Sequence, residues 1–519
     1  MSKTPRTFRL VLTLLAAVVL ALTIAACGDD SGGGGDGSDL ASLAPADSPV
    51  FVQGVIRPEG DLRSNIEDMV QNVAGIDPGQ QIVNQIDSGL AEQNLTWEDD
   101  ISPWLGENAA VFISGFRGSE VENGAALVET TDTGAAEDFI AKLAEGESDV
   151  REAEYEGVSY RTDGDTAVGL VDDVLVTGDE GAFEAAVDAS GGDSLADDGR
   201  FSDTIERAPS ESIADVYVNV DDFFAAVQRQ LDPQSKQFFE AFAGQTQGST
   251  ALASAVVPSA DRIEFDFQSN AGGDVEVGSV TDFIGSFPGD AWAAFATADV
   301  GARLTETIDQ IDRTGIPPDV PPGALKQQLS RAGFDVERLA AAVGDVGFFV
   351  SGTDRASIGG ALVVTTDDPA AAESAIQDLS RLARRAGTPG VRPTPGGTGF
   401  TIRDPQELGP RPLVVESAED RIVVAYGQEA ADAALAGGGG DTLDSSEAFS
   451  TATDALGEAE PAGFVDFAPV IQLAEALGAS QDPDYAVAKP YLDKLDFLAF
   501  GSGRDGEFLT SKVVLALTE

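Results

Sequence analysis

Along this chain, stretches with apolar residues at every second position alternate with stretches in which they recur every third or fourth. Ile263, Phe265 and Phe267 alternate with Glu264, Asp266 and Gln268, and Val216, Val218 and Val220 alternate with Tyr217 and Asn219. That period predicts strands with one apolar and one polar face. Leu62, Ile66, Met69, Val70 and Val73 fall on one side of a helix for which Asp61 is the predicted N-cap, and Leu304, Ile308 and Ile311 repeat the pattern. After two strands ending in Thr-Thr-Asp, Asp132 and Asp368 stand where helix caps belong, and Pro369 suits a first helical turn. Strands apolar on one face predict a mainly antiparallel sheet with helices on that face, a two-layer α+β fold.

The pattern occurs twice. GAALVETTD (Gly124 to Asp132) lies without gaps on GGALVVTTD (Gly359 to Asp367), with seven of nine residues identical. GGDSL with Phe201 matches GGDTL with Phe449, Leu105-Gly106-Glu107 matches Val343-Gly344-Asp345, and Pro45-Ala46-Asp47 matches Pro288-Gly289-Asp290. A period this long predicts two homologous tandem domains, residues 41–275 and 276–519, because solenoid repeats are far shorter.

The amino terminus reads differently. Lys3, Arg6 and Arg9 precede an uncharged, largely apolar run from Leu10 to Ala26 that closes on small residues, the layout of a secretory signal peptide over 1–26. Ile24-Ala25-Ala26-Cys27-Gly28 resembles the lipobox of bacterial lipoproteins, in which the cysteine thiol receives a diacylglyceryl group. Two acyl chains suffice for stable anchoring where one does not. Residues 27–40 then read as the lipidated Cys27 and a Gly/Ser/Asp linker, a coil reaching roughly 20 Å. The expected location is the extracytoplasmic face of the cell membrane, with the membrane as a partner through the lipid anchor and a further envelope partner or ligand unidentified.

Composition narrows the chemistry. Against 31 Lys+Arg stand 89 Asp+Glu, a formal net charge of -58, which repels phosphate backbones and favours cations as small partners. There is no histidine, and Cys27 is the only cysteine. Ser-His-Asp and Cys-His catalysis, His-ligated metals and intrachain disulfides are therefore excluded.

The Pro-Ala-Asp opening, the Trp104-Leu105-Gly106 turn, the (S/T)-L-x₅-F element and the ADVYVNVDDF strand-to-helix step resemble the bacterial envelope family known as domain of unknown function 3352. The resemblance implies an envelope location and no activity. Trp104 has alanine or valine at its counterpart in the second copy, so no shared site includes it.

The remaining motifs read as structure. Asp132-Thr133-Gly134 and Asp87-Ser88-Gly89 match the aspartic-protease tripeptide, but the second copy has Asp367-Asp368-Pro369 instead, and helix capping accounts for the first. GSGRDG (Gly501 to Gly506) lies between two apolar runs and is a strand connection, with no helix following to make a dinucleotide site. The acidic stretch from Asp193 to Glu206 does not keep EF-hand spacing and reads as solvated surface. Arg381, Arg384, Arg385, Arg392 and Arg403 form one basic island around a loop containing Pro389, Pro393 and Pro395, read as local charge balance. The expectation is a non-enzymatic binding or structural envelope module without cofactor or metal; the alternatives are a lipid or lipoglycan carrier and a carboxylate-dependent hydrolase.

Overall fold

The structure is a computed structural model that describes residues 38–518, apart from 75–82, 84–85, 89, 91–94, 118–119, 146–148, 231–248, 272–277, 315–322, 332–339, 341, 395–398, 405, 407 and 438. Cys27, segment 1–26, Pro395 and most of the linker lie outside the described residues. The linker's last residues do not: Ser38–Ala41 is a helical turn whose Leu40 and Ala41 are fully buried. Residues 38–40 thus belong to the fold, because burying a leucine side chain favours the ordered turn by about 1.5–3 kcal/mol. Among the described residues no helix is long and apolar enough to cross a membrane.

The chain divides into two compact units with its main boundary between Asp274 and Val275; Gly506–Thr510, which include the start of the last strand, fall with the first, and that strand is counted with the second, which holds the rest of it. In the first unit the strands are Val50–Val55 (β1), Leu105–Arg117 (β2), Glu120–Thr130 (β3), Arg151–Tyr155 (β4), Val158–Thr162 (β5), Thr166–Val171 (β6), Val174–Asp179 (β7), Ala214–Asn219 (β8), Ser249–Pro258 (β9) and Arg262–Ala271 (β10). They pair in the order β10-β9-β8-β1-β2-β3-β7-β6-β5-β4, with every neighbouring pair antiparallel.

The second unit contains Ala291–Thr297 (β11), Val346–Ser351 (β12), Gly359–Thr365 (β13), Arg392–Pro393 (β14), Gly399–Ile402 (β15), Leu413–Ala418 (β16), Arg421–Tyr426 (β17), Glu460–Asp466 (β18), Leu495–Asp505 (β19) and Phe508–Leu517 (β20). Their order is β20-β19-β18-β11-β12-β13-β17-β16-β15-β14, the order of the first unit with each strand number raised by ten. GSGRDG completes β19 and turns at Gly506 (φ 62°) into β20, so no helix starts there.

Helices pack on both faces of each sheet, not on one as the alternation predicted. In the first unit Phe183 and Ala186 of helix Glu180–Ser190 pack with Ala167 and Val176, while Phe139 and Leu143 of helix Thr133–Ala144 pack with Val168 and Leu175. Neighbouring strand residues point to opposite faces, so the two helices lie on opposite sides. The cause is visible in the central strands: Ala125 to Val128 and Val174 to Val176 are continuous apolar runs, which bury both faces. The alternating strands β8, β9 and β10 stand at one end of the order. In the second unit Val414 belongs to the core with Ala431 and Ala434, whereas the adjacent Val415 packs with Ile376 of helix Pro369–Arg385.

The caps hold where the sequence placed them for Asp132 and Asp368, whose carboxylates accept the amides of Ala135 (3.0 Å) and Ala371 (2.9 Å). Asp61 is instead inside the first turn, since that helix is Gly60–Ala74. The repeated motifs meet at one end of each unit: Leu195 N donates to Ala44 O (2.8 Å) and Leu443 N to Phe287 O (2.7 Å). These bonds fix the short turns that send Phe201 and Phe449 into the two cores.

Candidate functional site

The core-facing side of β8 carries Asp215, Tyr217 and Asn219 at alternate positions. Tyr217 and Asn219 are fully buried and Val216 and Val218 are not, the reverse of the apolar-in reading of this strand. Room for the larger polar groups comes from β9, which sets Ala255, Ala253 and Ala251 beside them. Phe201 closes edge-on over Tyr217 (5.0 Å between ring centroids), and Phe51 closes on Phe201 (5.6 Å). Asp215 accepts from Gln53 Nε2 (3.2 Å), and Asn219 Oδ1 accepts from Asp222 N (3.2 Å) to cap helix Val220–Gln230.

Ser48 Oγ, the Tyr217 hydroxyl and Asn219 Nδ2 are among the buried polar atoms here that have no hydrogen-bond partner among the described residues. Burial pushes the Tyr217 hydroxyl well above its ordinary value, with Asp198 adding and Arg200 opposing. It stays protonated and can only hydrogen-bond. Burial also raises Asp215, against the bonds from Ser212 and Gln53, and raises Asp222, which Arg200 opposes and Asp47 reinforces. Arg200 is committed to Asp198 by two bonds, Nη2 to Oδ2 (2.8 Å) and Nε to Oδ1 (3.3 Å).

The topologically equivalent strand β18 lacks this ladder. Pairing in the two sheets sets Tyr217 opposite Phe51 and Phe464 opposite Ala294, so Ala462, Phe464 and Asp466 replace Asp215, Tyr217 and Asn219. Phe464 meets Phe449 edge-on (5.5 Å) as Tyr217 meets Phe201, without a hydroxyl to satisfy. Arg200 and Asp198 become Ala448 and Ser446.

The second unit carries an open cleft of about 450 Å³ lined by Asp290, Ser351, Asp354, Ser357, Arg411 and Glu429, together with Pro288, Phe349, Ala430 and others. Arg411 is 18% exposed; its Nη2 donates to Ala356 O (2.5 Å) and pairs with Glu429 (3.2 Å), itself 87% exposed. The guanidinium needs glycines around it, since a Cβ at Gly427 would stand 3.0 Å from Nη1 and one at Gly359 3.2 Å. In the first unit the position of Gly427 belongs to Asp179, whose Oδ2 accepts Gly124 N (3.2 Å). Asp354 accepts the amides of Ala356 (2.7 Å) and Ser357 (2.9 Å), and these bonds hold its carboxyl below the ordinary range.

The chain matches, over residues 10–517, the family described as "Protein of unknown function (DUF3352)". It belongs to that family. No curated protein matches the chain. Among solved structures it is similar to TP0453 in crystal forms I and III, at 10% and 9% identity and TM-scores of 0.24 and 0.25. These matches cover 46% and 47% of this chain and 81% and 84% of those, a likeness too slight to carry a functional reading.

In this member of the DUF3352 family the residues singled out from sequence are spread over both units. Asp87 accepts the Trp97 amide (2.7 Å) and Asp132 caps its helix, so both protease-like aspartates have structural work. Asp197 and Asp198 bond Ser194 and Arg200, and among the described residues no group of three His, Cys, Asp or Glu side chains could hold a metal ion. Trp104 is buried against Phe139, and its indole donates to Asp100 O (2.7 Å). Arg381, Arg384, Arg385, Arg392 and Arg403 are all exposed. Sequence reasoning missed Tyr217, Asn219 and Arg411; the one signal for the first two was a tyrosine and an asparagine at i and i+2 in a strand followed by Asp-Asp.

Proposed function

We propose that the chain is a non-enzymatic binding module of the cell envelope, held at the outer face of the membrane by a diacylglyceryl group on Cys27, with the open cleft of the second unit as its ligand site. The observation that carries the reading is the Arg411–Glu429 pair on the cleft wall: a positioned, partly exposed polar pair beside Asp290, Asp354 and Ser357. Pockets of roughly this size with a few converging polar groups are the usual form of small-ligand sites. One guanidinium among three carboxylates favours a neutral, hydroxyl-rich or cationic ligand over an anion.

The alternatives have less support. The cleft is open to solvent, and its apolar residues Pro288, Phe349, Ala430 and Ala433 share the lining with the charged Asp290, Asp354, Arg411 and Glu429, which weighs against the lipid carrier. Paired-carboxylate hydrolysis needs one acid with a raised pKa beside a second, free carboxylate. Here Asp354 is pushed the other way by its backbone bonds and Glu429 is tied to Arg411. We read the two units as homologous tandem copies, 41–275 and 276–519, a reading supported by the matched motifs and by the common strand order.

Thermal melting against panels of polyols, glycans and amines tests the site. A ligand that raises the midpoint of the wild type and not of Arg411→Ala supports it; a ligand that stabilises both equally removes the cleft from the account. Release of Cys27→Ala into the medium, or its accumulation unprocessed, is the outcome expected for the anchor.

A further inference from the structure

Helix Thr133–Ala144 of the first unit and helix Pro369–Arg385 of the second begin at the same place in the two folds, one residue after the capping aspartates Asp132 and Asp368. The first has 12 residues, all of its large apolar side chains (Phe139, Ile140 and Leu143) buried, and acids on its surface at Glu137 and Asp138. The second has 17 residues. Its five-residue extension is Arg381-Leu382-Ala383-Arg384-Arg385, about 7.5 Å of additional helix.

That extension has no place in the core. Ala371, Ala372 and Ile376 anchor the helix, Ile376 against Phe400 and Val415, but Leu379 is 44% exposed and Leu382 is 50% exposed. Leu379, Leu382 and Arg385 follow one another at three-residue spacing along one ridge. Arg381 is paired with Asp378 on its own helix, whereas Arg384, Arg385 and Arg392 are exposed and carry no ion pair among the described residues. From Leu379 to Arg403 the sequence contains five arginines and no Asp or Glu, in a chain of 89 acids.

We propose that the end of helix Pro369–Arg385 is a bilayer-contact element, laying Leu379 and Leu382 into the headgroup boundary of an anionic membrane while Arg384, Arg385 and Arg392 engage lipid phosphates. Exposed leucines beside arginines on an amphipathic helix are the composition that lies in a membrane interface. The occupant follows from charge: a chain with 89 Asp+Glu against 31 Lys+Arg repels an anionic bilayer, whereas this arginine patch is complementary to it. It would set which side of the second unit faces the membrane, which a lipid at Cys27 alone does not specify. It is independent of the cleft.

The test is hydrogen–deuterium exchange of the full chain on vesicles of equimolar phosphatidylglycerol and phosphatidylcholine, with pure phosphatidylcholine vesicles and soluble polyphosphate as comparisons. Slower exchange in 376–385 on the anionic vesicles alone, lost in Arg384→Glu/Arg385→Glu and in Leu379→Ser/Leu382→Ser, is the expected result. Each arginine removed should weaken vesicle binding roughly fivefold at low salt. Equal exchange on both vesicle types would overturn the proposal, as would protection by polyphosphate that the leucine variant retains, which would assign the patch to a soluble polyanion. Failure here leaves the Cys27 anchor standing, because acylation is read separately by mass.

Discussion

The two units run the same strand order and differ most where their strand-to-helix steps meet the core. In the first, Asp215, Tyr217 and Asn219 occupy positions that Ala462, Phe464 and Asp466 hold in the second, and buried polar atoms are the consequence. In the second, Arg411 packs against Gly359 and Gly427 on the wall of a cleft, and the first has Asp179, bonded to the Gly124 amide, at the position of Gly427. A shared backbone therefore tolerates exchange of polar and apolar groups at equivalent sites, provided neighbouring strands supply the space. What each unit presents to solvent is decided by those exchanges and not by the fold.

The comparison is easiest to break at Trp104, whose counterpart is Ala342. Trp104→Ala should cost about 3–5 kcal/mol in denaturant unfolding, the range for losing a large buried aromatic. A loss below about 1 kcal/mol would mean that this corner is packed no better than the second unit's alanine. Next is the ion pair beside it. Asp100 is buried, and although burial tends to raise its pKa, the bonds from Lys142 (2.6 Å) and Thr96 N (2.8 Å) bring it below the ordinary value. Because the folded-state pKa is depressed, its contribution is present above the ordinary carboxylate range and lost as pH falls through the folded value. Asp100→Asn should cost about 1–2 kcal/mol near neutrality and little in strong acid.

Asp215 has the opposite sign. Burial raises its folded-state pKa, so it destabilises the native state near neutrality, and that penalty fades as pH falls toward the ordinary value of about 3.9. Asp215→Asn should raise the melting midpoint at neutral pH and change it less in acid; a lowered midpoint at neutral pH would show that the ionised carboxylate is needed. The smallest effect is expected for Tyr217→Phe, which installs the second unit's residue and removes an unpartnered hydroxyl. Stability should stay within about 0.5 kcal/mol or rise slightly. A loss above about 1 kcal/mol would show that the hydroxyl has a bonded partner in solution.

Much of the fold was legible because its signals are local. Caps at Asp132 and Asp368 need only a strand end followed by a helical run, and the α+β class needs only the alternation of the two periods. Helices on both sheet faces were not anticipated, because the strands that alternate most clearly, β8 and β10, stand at one end while the doubly buried ones read as plain apolar runs. Tyr217 and Asn219 passed as a solvent face because period two says which residues share a side and not which side is inward. Arg411 had no signal at all: its place depends on Gly427 and Gly359, which lie 16 and 52 residues away in sequence and adjoin it only in the folded sheet.

Both proposals rest on a chain held outside the cell on a membrane, and the mass of the protein extracted from that membrane tests this most directly. The account predicts a mature N-terminus at residue 27 carrying a diacylglyceryl adduct on its sulfur. An intact chain beginning at Met1 with a free thiol would contradict it.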